Sequence, residues 1–238
     1  MLARRAKGSD VRDDQEPEPE GRPLGRRAFL AAMGLGATSL LWGDKALQLF
    51  EGAGNKLPAS VRAAIPVGGQ WRIYAIDLPY PRYDPRTWAL EIDGLVDRPQ
   101  RLTMAELRAL TPAVQTSDFH CVTGWSVLGV RWRGVRFAEL LDLAGVRPGA
   151  TALEFASAET PYVDTLTLKQ LEAPDAMVAF DMDDEPLTQE HGAPARIVMP
   201  RMYGYKGVKW LQRITVVDRV VDGYWEQRGY SRDAYVES

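Results

Sequence analysis

The stretch Ser117-Asp-Phe-His-Cys-Val-Thr-Gly-Trp125 contains Cys121, the single cysteine of the chain, directly after His120. We predict a loop here, because the stretch lies between two segments with helical patterns. One cysteine cannot form a disulfide within the chain, so Cys121 is a thiol, a thiolate or a metal ligand, unless it is only a small buried hydrophobic residue. Adjacent side chains usually diverge, so the spacing does not support a catalytic Cys–His pair. A soft thiolate favours soft or high-valent metals.

A second candidate site is the segment Glu190-His-Gly-Ala-Pro-Ala-Arg196. Its glycine and proline predict a turn that leads into a strand over 195–199. In one interpretation, His191 only caps this turn. In the other, His191 and Arg196 face an anion, because a guanidinium group offers a planar fork of donors to a phosphate or a carbonyl edge.

The third candidate is the segment Arg201-Met-Tyr-Gly-Tyr-Lys-Gly-Val-Lys-Trp210, which places two glycines and two lysines together. Glycine lets backbone N–H groups approach a phosphate, and lysine adds positive charge. The segment is not a P-loop, because no Lys-Ser or Lys-Thr pair follows. It is therefore interpreted either as an anion-binding loop or as an exposed basic hairpin.

Short strands and short helices are predicted around these three segments. A capping-box pattern opens a helix at 103–110, and a second helix at 137–144 ends at Gly145. A third, short helix covers 168–171, and a turn is predicted at 183–186. Alternating or apolar runs predict strands over 88–93, 152–156, 176–180, 195–199 and 214–217.

These elements favour one α+β domain that is richer in strand than in helix. No regular alternation of strand and helix is present, and no Gly-x-Gly-x-x-Gly follows a strand, which disfavours a doubly wound nucleotide-binding fold. Composition is that of a globular protein, with 45% hydrophobic and 26% charged residues, which excludes a disordered, collagenous or multi-span membrane protein. A net charge of -3 gives no support for nucleic-acid binding. One cysteine and two histidines are too few for a Cys-rich structural zinc site.

The N-terminal part of the chain has the layout of a targeting segment. Charged residues and prolines fill residues 1–25, and Arg26-Arg27 then precede Phe29-Leu30 and an uncharged run that ends at residue 43. This arrangement resembles a twin-arginine export signal. The uncharged run is shorter than the ~20 residues that span a bilayer, and it lacks a clean cleavage site, so either a cleaved signal or an uncleaved anchor is expected. We therefore divide the chain into a signal segment (1–43), a linker (44–70) and a catalytic domain (71–238).

Taken together and in this order, the three candidate segments resemble the sulfite oxidase-type molybdopterin domain. The shared features are His-Cys with tryptophan four residues after the cysteine, then His-Gly-x-Pro-x-Arg, then Tyr-Gly-Tyr-Lys-Gly-Val-Lys-Trp. The resemblance extends from about Trp71 to the C-terminus and includes the final Gly223-Tyr-Trp-Glu-Gln-Arg-Gly-Tyr230. It implies a strand-rich α+β fold with short helices, and a molybdenum-molybdopterin cofactor.

In this family one cysteine sulfur binds molybdenum, and the resemblance assigns that role to Cys121. It places His191 and Arg196 on the pterin, which is buried in a polar tunnel. The Gly207-Val208-Lys209 stretch is then expected at the phosphate end of the cofactor.

Two further residues are implied by the resemblance. Ser157 falls where relatives carry a hydroxyl residue near the cofactor. Tyr74 lies where the bacterial reductase branch has an Asn-x-x-Tyr-Glu segment that contacts the cofactor, although the asparagine and the glutamate are missing here.

The resemblance also implies oxygen-atom transfer between molybdenum and a small sulfur oxide or related substrate. Cationic residues at the mouth would select sulfite and a neutral mouth would accept sulfoxides, and Arg72 and Arg131 are candidate mouth residues. Sulfite oxidases carry a further dimerisation domain, whereas this chain ends at Ser238. We therefore predict an exported, monomeric catalytic subunit that reduces its substrate with electrons from a membrane haem or cytochrome partner. The alternatives are a sulfite-oxidising enzyme, an exported non-catalytic ligand-binding domain of the same fold, and a thiol redox protein, although the last would lack a resolving cysteine.

Overall fold

The computed structural model describes residues 71–236, which form two β-sheets with short helices. The predicted signal segment and linker lie outside the described residues. Ten strands follow one another along the chain: β1 (Ala89–Gly94), β2 (Gln100–Thr103), β3 (Ala113–Cys121), β4 (Trp125–Arg136), β5 (Ala152–Ser157), β6 (Val163–Thr167), β7 (Met177–Met182), β8 (Glu185–Pro186), β9 (Arg196–Val198) and β10 (Leu211–Val217).

The first sheet has the order β2-β1-β10-β5-β6. Strands β1 and β10 are parallel, with Ile92 opposite Ile214, and the other neighbours are antiparallel. The second sheet has the order β3-β4-β7-β8, and β9 also pairs with β7. The predicted α+β class, richer in strand than in helix, is confirmed.

The cysteine-containing stretch differs from the loop predicted above. Residues 117–121 belong to β3, which pairs with β4 so that Cys121 lies opposite Trp125. Only residues 122–124 form the turn at the tip, where the Gly124 amide donates to the Cys121 carbonyl at 2.9 Å. The prediction of a loop was wrong because it considered only the polar residues of this segment. Pairing with the neighbouring strand β4 determines the conformation of the segment.

The predicted helices are confirmed with their caps. Helix α1 (Met104–Ala109) begins at a complete capping box between Thr103 and Glu106. Helix α2 (Phe137–Ala144) ends at Gly145, whose φ of 69° lies in the left-handed region that favours glycine. Helix α3 (Leu168–Leu171) has a second capping box. Within residues 71–236, none of the helices combines the length and the apolar character needed to cross a membrane.

Three clusters of buried side chains organise the domain. The first lies between the two sheets and includes Phe137, Phe155 and Phe180. A second cluster around Trp125 and Trp132 covers the other face of the second sheet, and Phe119 and Cys121 pack against it. The third cluster consists of Ile76, Tyr224 and Trp225, with four further tyrosines packed on it. Because Tyr74 packs against both the second and the third cluster, these two clusters face each other across the candidate site.

A buried ion triad connects the third candidate segment to the C-terminal part of the domain. Lys206 is 1% exposed, and its Nζ donates to Asp164 at 2.5 Å and to Glu226 at 2.8 Å. The segment is therefore not the exposed basic hairpin that was one of its two interpretations. Two carboxyl groups share one ammonium group, and burial, followed by the charge of Glu226, raises the pKa of Asp164 to about 7 against the attraction of Lys206.

This raised pKa predicts a pH-dependent stability of the apoprotein. An aspartate whose pKa is higher in the folded state than in the unfolded chain binds a proton on folding, so it contributes stability below its ordinary pKa of 3.8. That contribution is lost as the pH rises from 3.8 to about 7. We expect Asp164→Asn to remove this dependence and to make the melting temperature flatter over that range. Thermal melts at several pH values test this, with Asp97→Asn as a control at an exposed ion pair, and an unchanged slope in Asp164→Asn would contradict it.

Candidate active site

A cleft that measures about 820 Å³ with its solvent-filled mouth included lies between the second and third clusters. Seven of the eight predicted site residues line it. They are Tyr74, Cys121, Ser157, His191, Arg196, Gly207 and Lys209. The three segments that were singled out in the sequence therefore converge on one cleft, and their roles toward a cofactor stay predictions.

Cys121 forms one end of the cleft, at the tip of the β3–β4 hairpin. Its side chain is partly buried, and its Sγ lies 3.2 Å from the Thr123 hydroxyl. Burial raises the pKa of the Cys121 thiol, and the contact with Thr123 and the charge of Arg72 oppose this rise. Arg72 lines the cleft as predicted, whereas Arg131 forms an ion pair with Asp184 and does not line it. The prediction that Arg131 lies at the mouth was wrong, because β4 directs this arginine to the exposed pair with Asp184.

Aromatic rings surround the Cys121 end of the cleft. Trp71 packs on Phe119 with a centroid distance of 4.9 Å and on His191 in a T-shaped arrangement with a centroid distance of 4.8 Å. Trp125 packs against Phe119 at 5.6 Å and against Tyr74 at 6.2 Å. These rings leave an apolar surface beside the thiol.

Arg196 lies in the interior of the cleft without a carboxylate partner among residues 71–236. It is 3% exposed, and its Nη1 donates to the His191 carbonyl at 3.1 Å. Its guanidinium group also lies over the rings of Trp132, at 5.2 Å, and Phe119, at 5.8 Å. The Nε atom is buried and has no hydrogen-bond partner in this part of the chain. Burial lowers the pKa of Arg196 to about 10, so the group stays charged at neutral pH.

Lys209 is the second cation in the interior. Its Nζ donates to the carbonyls of Tyr74 at 2.7 Å and Glu190 at 3.2 Å. Burial and the charge of Arg196 lower the pKa of Lys209 to about 7. A Cβ atom at Gly192 would lie 2.7 Å from the Lys209 Cβ, and the φ of 99° at Gly192 also favours glycine, so the turn predicted before Arg196 packs directly on this lysine.

His191 lines the same wall and carries no charge at neutral pH. Burial, followed by the charges of Arg196 and Lys209, lowers the pKa of His191 to about 3. Its side chain faces the cleft, so capping the turn is not its only contact. The neutral ring can give or accept a hydrogen bond without adding positive charge to a site that already holds the charged Arg196 and a partly charged Lys209.

Ser157 and Val208 have structural roles that the sequence did not show. The Ser157 hydroxyl donates to the Lys209 carbonyl at 2.8 Å and accepts from the Glu159 amide at 2.9 Å. The Val208 side chain is fully buried in the first cluster and does not line the cleft, so any contact of this residue with the cofactor would be made by its backbone. The reason is that the Val208 carbonyl accepts from the Ile197 amide, which turns the side chain into the core.

One charged cleft residue, Glu159, was missed by the sequence reasoning. Glu159 is 7% exposed, and its carboxylate accepts from the amides of Ile76 and Asp77. Nothing local in the sequence distinguishes Glu159 from the other acidic residues.

The residues of the cleft fit a group that is anionic at one end and binds a soft metal at the other. Buried polar atoms normally have partners, so the unpaired Nε of Arg196 and the lack of a carboxylate partner for its charge within residues 71–236 favour an anionic ligand. At Gly207 a Cβ atom would lie 3.2 Å from the Arg196 Nη2, so glycine leaves the space beside this cation open. No group of three or more His, Cys, Asp or Glu residues within 71–236 could bind a metal ion by itself. Cys121 supplies the single soft donor.

A family model described as "Oxidoreductase molybdopterin binding domain" matches residues 77–225. The chain belongs to this family. Its fold is the sulfite oxidase-type molybdopterin-binding fold, the cofactor is molybdenum-molybdopterin, and the protein is an oxidoreductase. The resemblance stated from the sequence is therefore confirmed.

Similar proteins include members with named activities. The chain is 38% identical over 155 residues to "Uncharacterized oxidoreductase YuiH" of Bacillus subtilis, covering 65% of this chain and 77% of that protein. It is 33% identical over 163 residues to "Protein-methionine-sulfoxide reductase catalytic subunit MsrP" of Gluconobacter oxydans, covering 61% of this chain and 52% of that protein. The chain thus spans about three quarters of the first relative and about half of the second.

A solved structure confirms the fold. The sulfane dehydrogenase SoxCD from Paracoccus pantotrophus superimposes with a TM-score of 0.56 and 26% sequence identity. The match covers 61% of this chain and 42% of that chain.

Proposed function

We propose that this protein is a molybdenum-dependent enzyme that transfers an oxygen atom from a small sulfur oxide, acting as a reductase. The observation that supports the proposal most directly is the cleft that is lined by Cys121, beside aromatic rings, by the buried Arg196 with its unpaired Nε, and by Lys209. A cofactor with a metal end and a phosphate end needs a soft donor and an anion site in one cavity. We infer that the catalytic domain extends over residues 71–238.

Each residue of the cleft has a defined task in this proposal. When bound, the cofactor supplies two-electron exchange of an oxygen atom with a substrate sulfur. The Cys121 thiolate would hold the metal at the tip of the hairpin. Lys209 and the backbone of the Gly207-Val208 stretch would bind the phosphate end, and Arg196 would contact the pterin. Neutral His191 would contact the pterin by a hydrogen bond.

The remaining residues shape the site. Ser157 fixes the backbones of Lys209 and Glu159, and Tyr74 contributes one carbonyl to Lys209 and its ring to the wall beside Trp125. The rings of Trp71 and Trp125 would exclude water from the metal end. Reduction of a sulfoxide consumes two electrons and two protons and releases water together with the sulfide.

The surroundings of Cys121 favour a neutral substrate. The rings of Trp71, Phe119 and Trp125 offer apolar surface and π-faces, which suit the organic groups of a sulfoxide. The similarity to MsrP, named as a methionine-sulfoxide reductase, supports the same direction.

Sulfite oxidation is the second candidate, and Arg72 favours it. This arginine lines the cleft and is close enough to Cys121 for its charge to lower the pKa of the thiol. An arginine near the metal end would attract an oxyanion.

Substrate assays with artificial electron carriers distinguish the two candidates. We expect the enzyme to reduce sulfoxides and not to oxidise sulfite. We also expect Arg72→Gln to change kcat/KM for the sulfoxide by less than about threefold, because a neutral substrate makes no ion pair. Arg131→Gln is the matched control, since Arg131 does not line the cleft. Efficient sulfite oxidation that falls by about tenfold or more in Arg72→Gln would establish the second candidate instead.

We further propose that the protein is exported by the twin-arginine route and acts outside the cytoplasm, with or without an N-terminal anchor. The Arg26-Arg27 pair ahead of Phe29-Leu30 and an uncharged run supports this. A membrane haem or cytochrome partner would supply the electrons to a monomeric catalytic subunit. MsrP is named as a catalytic subunit, and this supports a separate partner that donates the electrons.

A further inference from the structure

One wall of the cleft is the segment Trp71–Asp77, called the strap below. Six of its residues, 71–76, line the cleft. Ile73, Ala75 and Ile76 are at most 5% exposed, although the strap has no regular secondary structure beyond a single bridge residue. We propose that Glu159 and Lys209 clamp the strap over the cleft, and that this clamp retains the cofactor. The inference rests on the proposed placement of the cofactor in this cleft.

Glu159 holds the C-terminal half of the strap. One carboxylate oxygen, Oε1, accepts from the amide of Ile76 at 2.6 Å and from the amide of Asp77 at 3.2 Å. A charged acceptor forms stronger hydrogen bonds to backbone amides than a neutral one does. Because Glu159 lies between β5 and β6, it joins the strap to the first sheet.

Lys209 holds the middle of the strap. Its Nζ donates to the Tyr74 carbonyl at 2.7 Å. The two charged residues stabilise each other, because each one favours the ionised form of its partner against the cost of burial. The Ser157 hydroxyl forms hydrogen bonds with the backbones of both residues, so Glu159 and Lys209 are connected.

The position of the clamp explains why it would act on the cofactor. The strap contacts the Cys121 end through Trp71, which packs on Phe119, and the third cluster through Ile76. A ligand that extends from Cys121 to Lys209 would lie beneath this segment. Loss of the cofactor then requires the strap to move away, and Glu159 resists that movement without contacting the metal end. Glu159 is thus a positioning residue.

Retention of the cofactor by the purified holoenzyme tests the proposal. Molybdenum and pterin per protein are followed during prolonged dialysis for the wild type, Glu159→Ala and Glu159→Gln, with Glu172→Ala as a control at an exposed helix end. Alanine removes the acceptor of two amides, so we expect loss of the cofactor to be about tenfold faster. Glutamine keeps an acceptor oxygen, so we expect it to restore most of the retention. Loss from Glu159→Ala at the wild-type rate would overturn the proposal.

Limited proteolysis of apoprotein from a cofactor-deficient host gives a second readout that needs no activity. Trypsin cleaves after Arg72 only when the strap opens, and cleavage after the fully exposed Arg86 provides the reference rate. We expect cleavage after Arg72, relative to Arg86, to rise about tenfold in Glu159→Ala and little in Glu159→Gln. Equal cleavage after Arg72 in the wild type and Glu159→Ala, or equal opening in both variants, would contradict the clamp. If the wild-type protein bound no molybdenum, the proposed function would be contradicted. Proteolysis of the apoprotein would still test whether Glu159 holds the strap closed.

Discussion

Replacement of Cys121 by serine is expected to abolish oxygen-atom transfer while the domain stays folded. Serine is a harder and far less acidic donor than cysteine, and the chain has no other thiol. Even outer partners of metal ligands cost 10–100-fold when they are removed, so we expect turnover to fall by more than about 100-fold. Part of the cofactor should remain bound, because Arg196 and Lys209 lie on other segments of the cleft.

Molybdenum content, the Mo(V) resonance and turnover are measured side by side in Cys121→Ser and in Ser126→Ala. The second variant is the control for damage to the hairpin, because Ser126 bonds to His120 at 2.8 Å rather than to the thiol. Wild-type turnover with an unaltered Mo(V) spectrum in Cys121→Ser would show that the cysteine is only a buried hydrophobic residue.

Replacement of Arg196 by methionine is expected to have opposite effects on the apoprotein and on the loaded enzyme. In the apoprotein this buried cation lacks a carboxylate partner within residues 71–236, and a hydrophobic side chain of similar length removes an unfavourable charge. We expect the free energy of unfolding to rise by about 1–4 kcal/mol. In a host that makes the cofactor, occupancy should fall by about tenfold or more, because a charge-assisted contact is lost.

Thermal melts of apoprotein and pterin per protein after expression in a cofactor-competent host measure the two effects. Arg147→Met is the control, since Arg147 forms an exposed ion pair with Asp97 at 2.9 Å, worth at most about 1 kcal/mol. Wild-type cofactor occupancy in Arg196→Met would show that Arg196 does not bind the cofactor. A lower melting temperature of the Arg196→Met apoprotein would show that its contacts with Trp132 and His191 outweigh the cost of burying the charge.

Local signals predicted the helices and several strands correctly. The capping box at Thr103 and the glycine at 145 act within one helical turn, so the sequence alone contains the information that fixes them. The β3–β4 hairpin was different, because its polar first strand is stabilised by a partner strand and by the packing of Phe119. Its conformation depends on contacts that a local pattern does not encode.

The candidate site shows the same division between local and long-range information. The residue types and their order identified the family, and with it seven residues that line the cleft. The local pattern of the third segment does not distinguish its two lysines, and it was the family resemblance that assigned Lys209 to the phosphate end. Lys206 is neutralised by Asp164 and Glu226, and Lys209 faces the cleft. Only the packing of β6 and of the C-terminal segment against this loop separates the two roles.

The cleft lies between the second and the third side-chain cluster, and this position has a consequence for the maturation of the protein. The thiol belongs to the hairpin packed on the second cluster, whereas the strap also packs on the third cluster through Ile76. A ligand that contacts both the hairpin and the strap connects the two clusters, and the free energy with which it binds adds to the free energy of unfolding. Binding of the cofactor and folding of the domain are then linked equilibria, so each one favours the other. A chain that never receives its cofactor would remain the less durable form, and cellular proteases would remove it first.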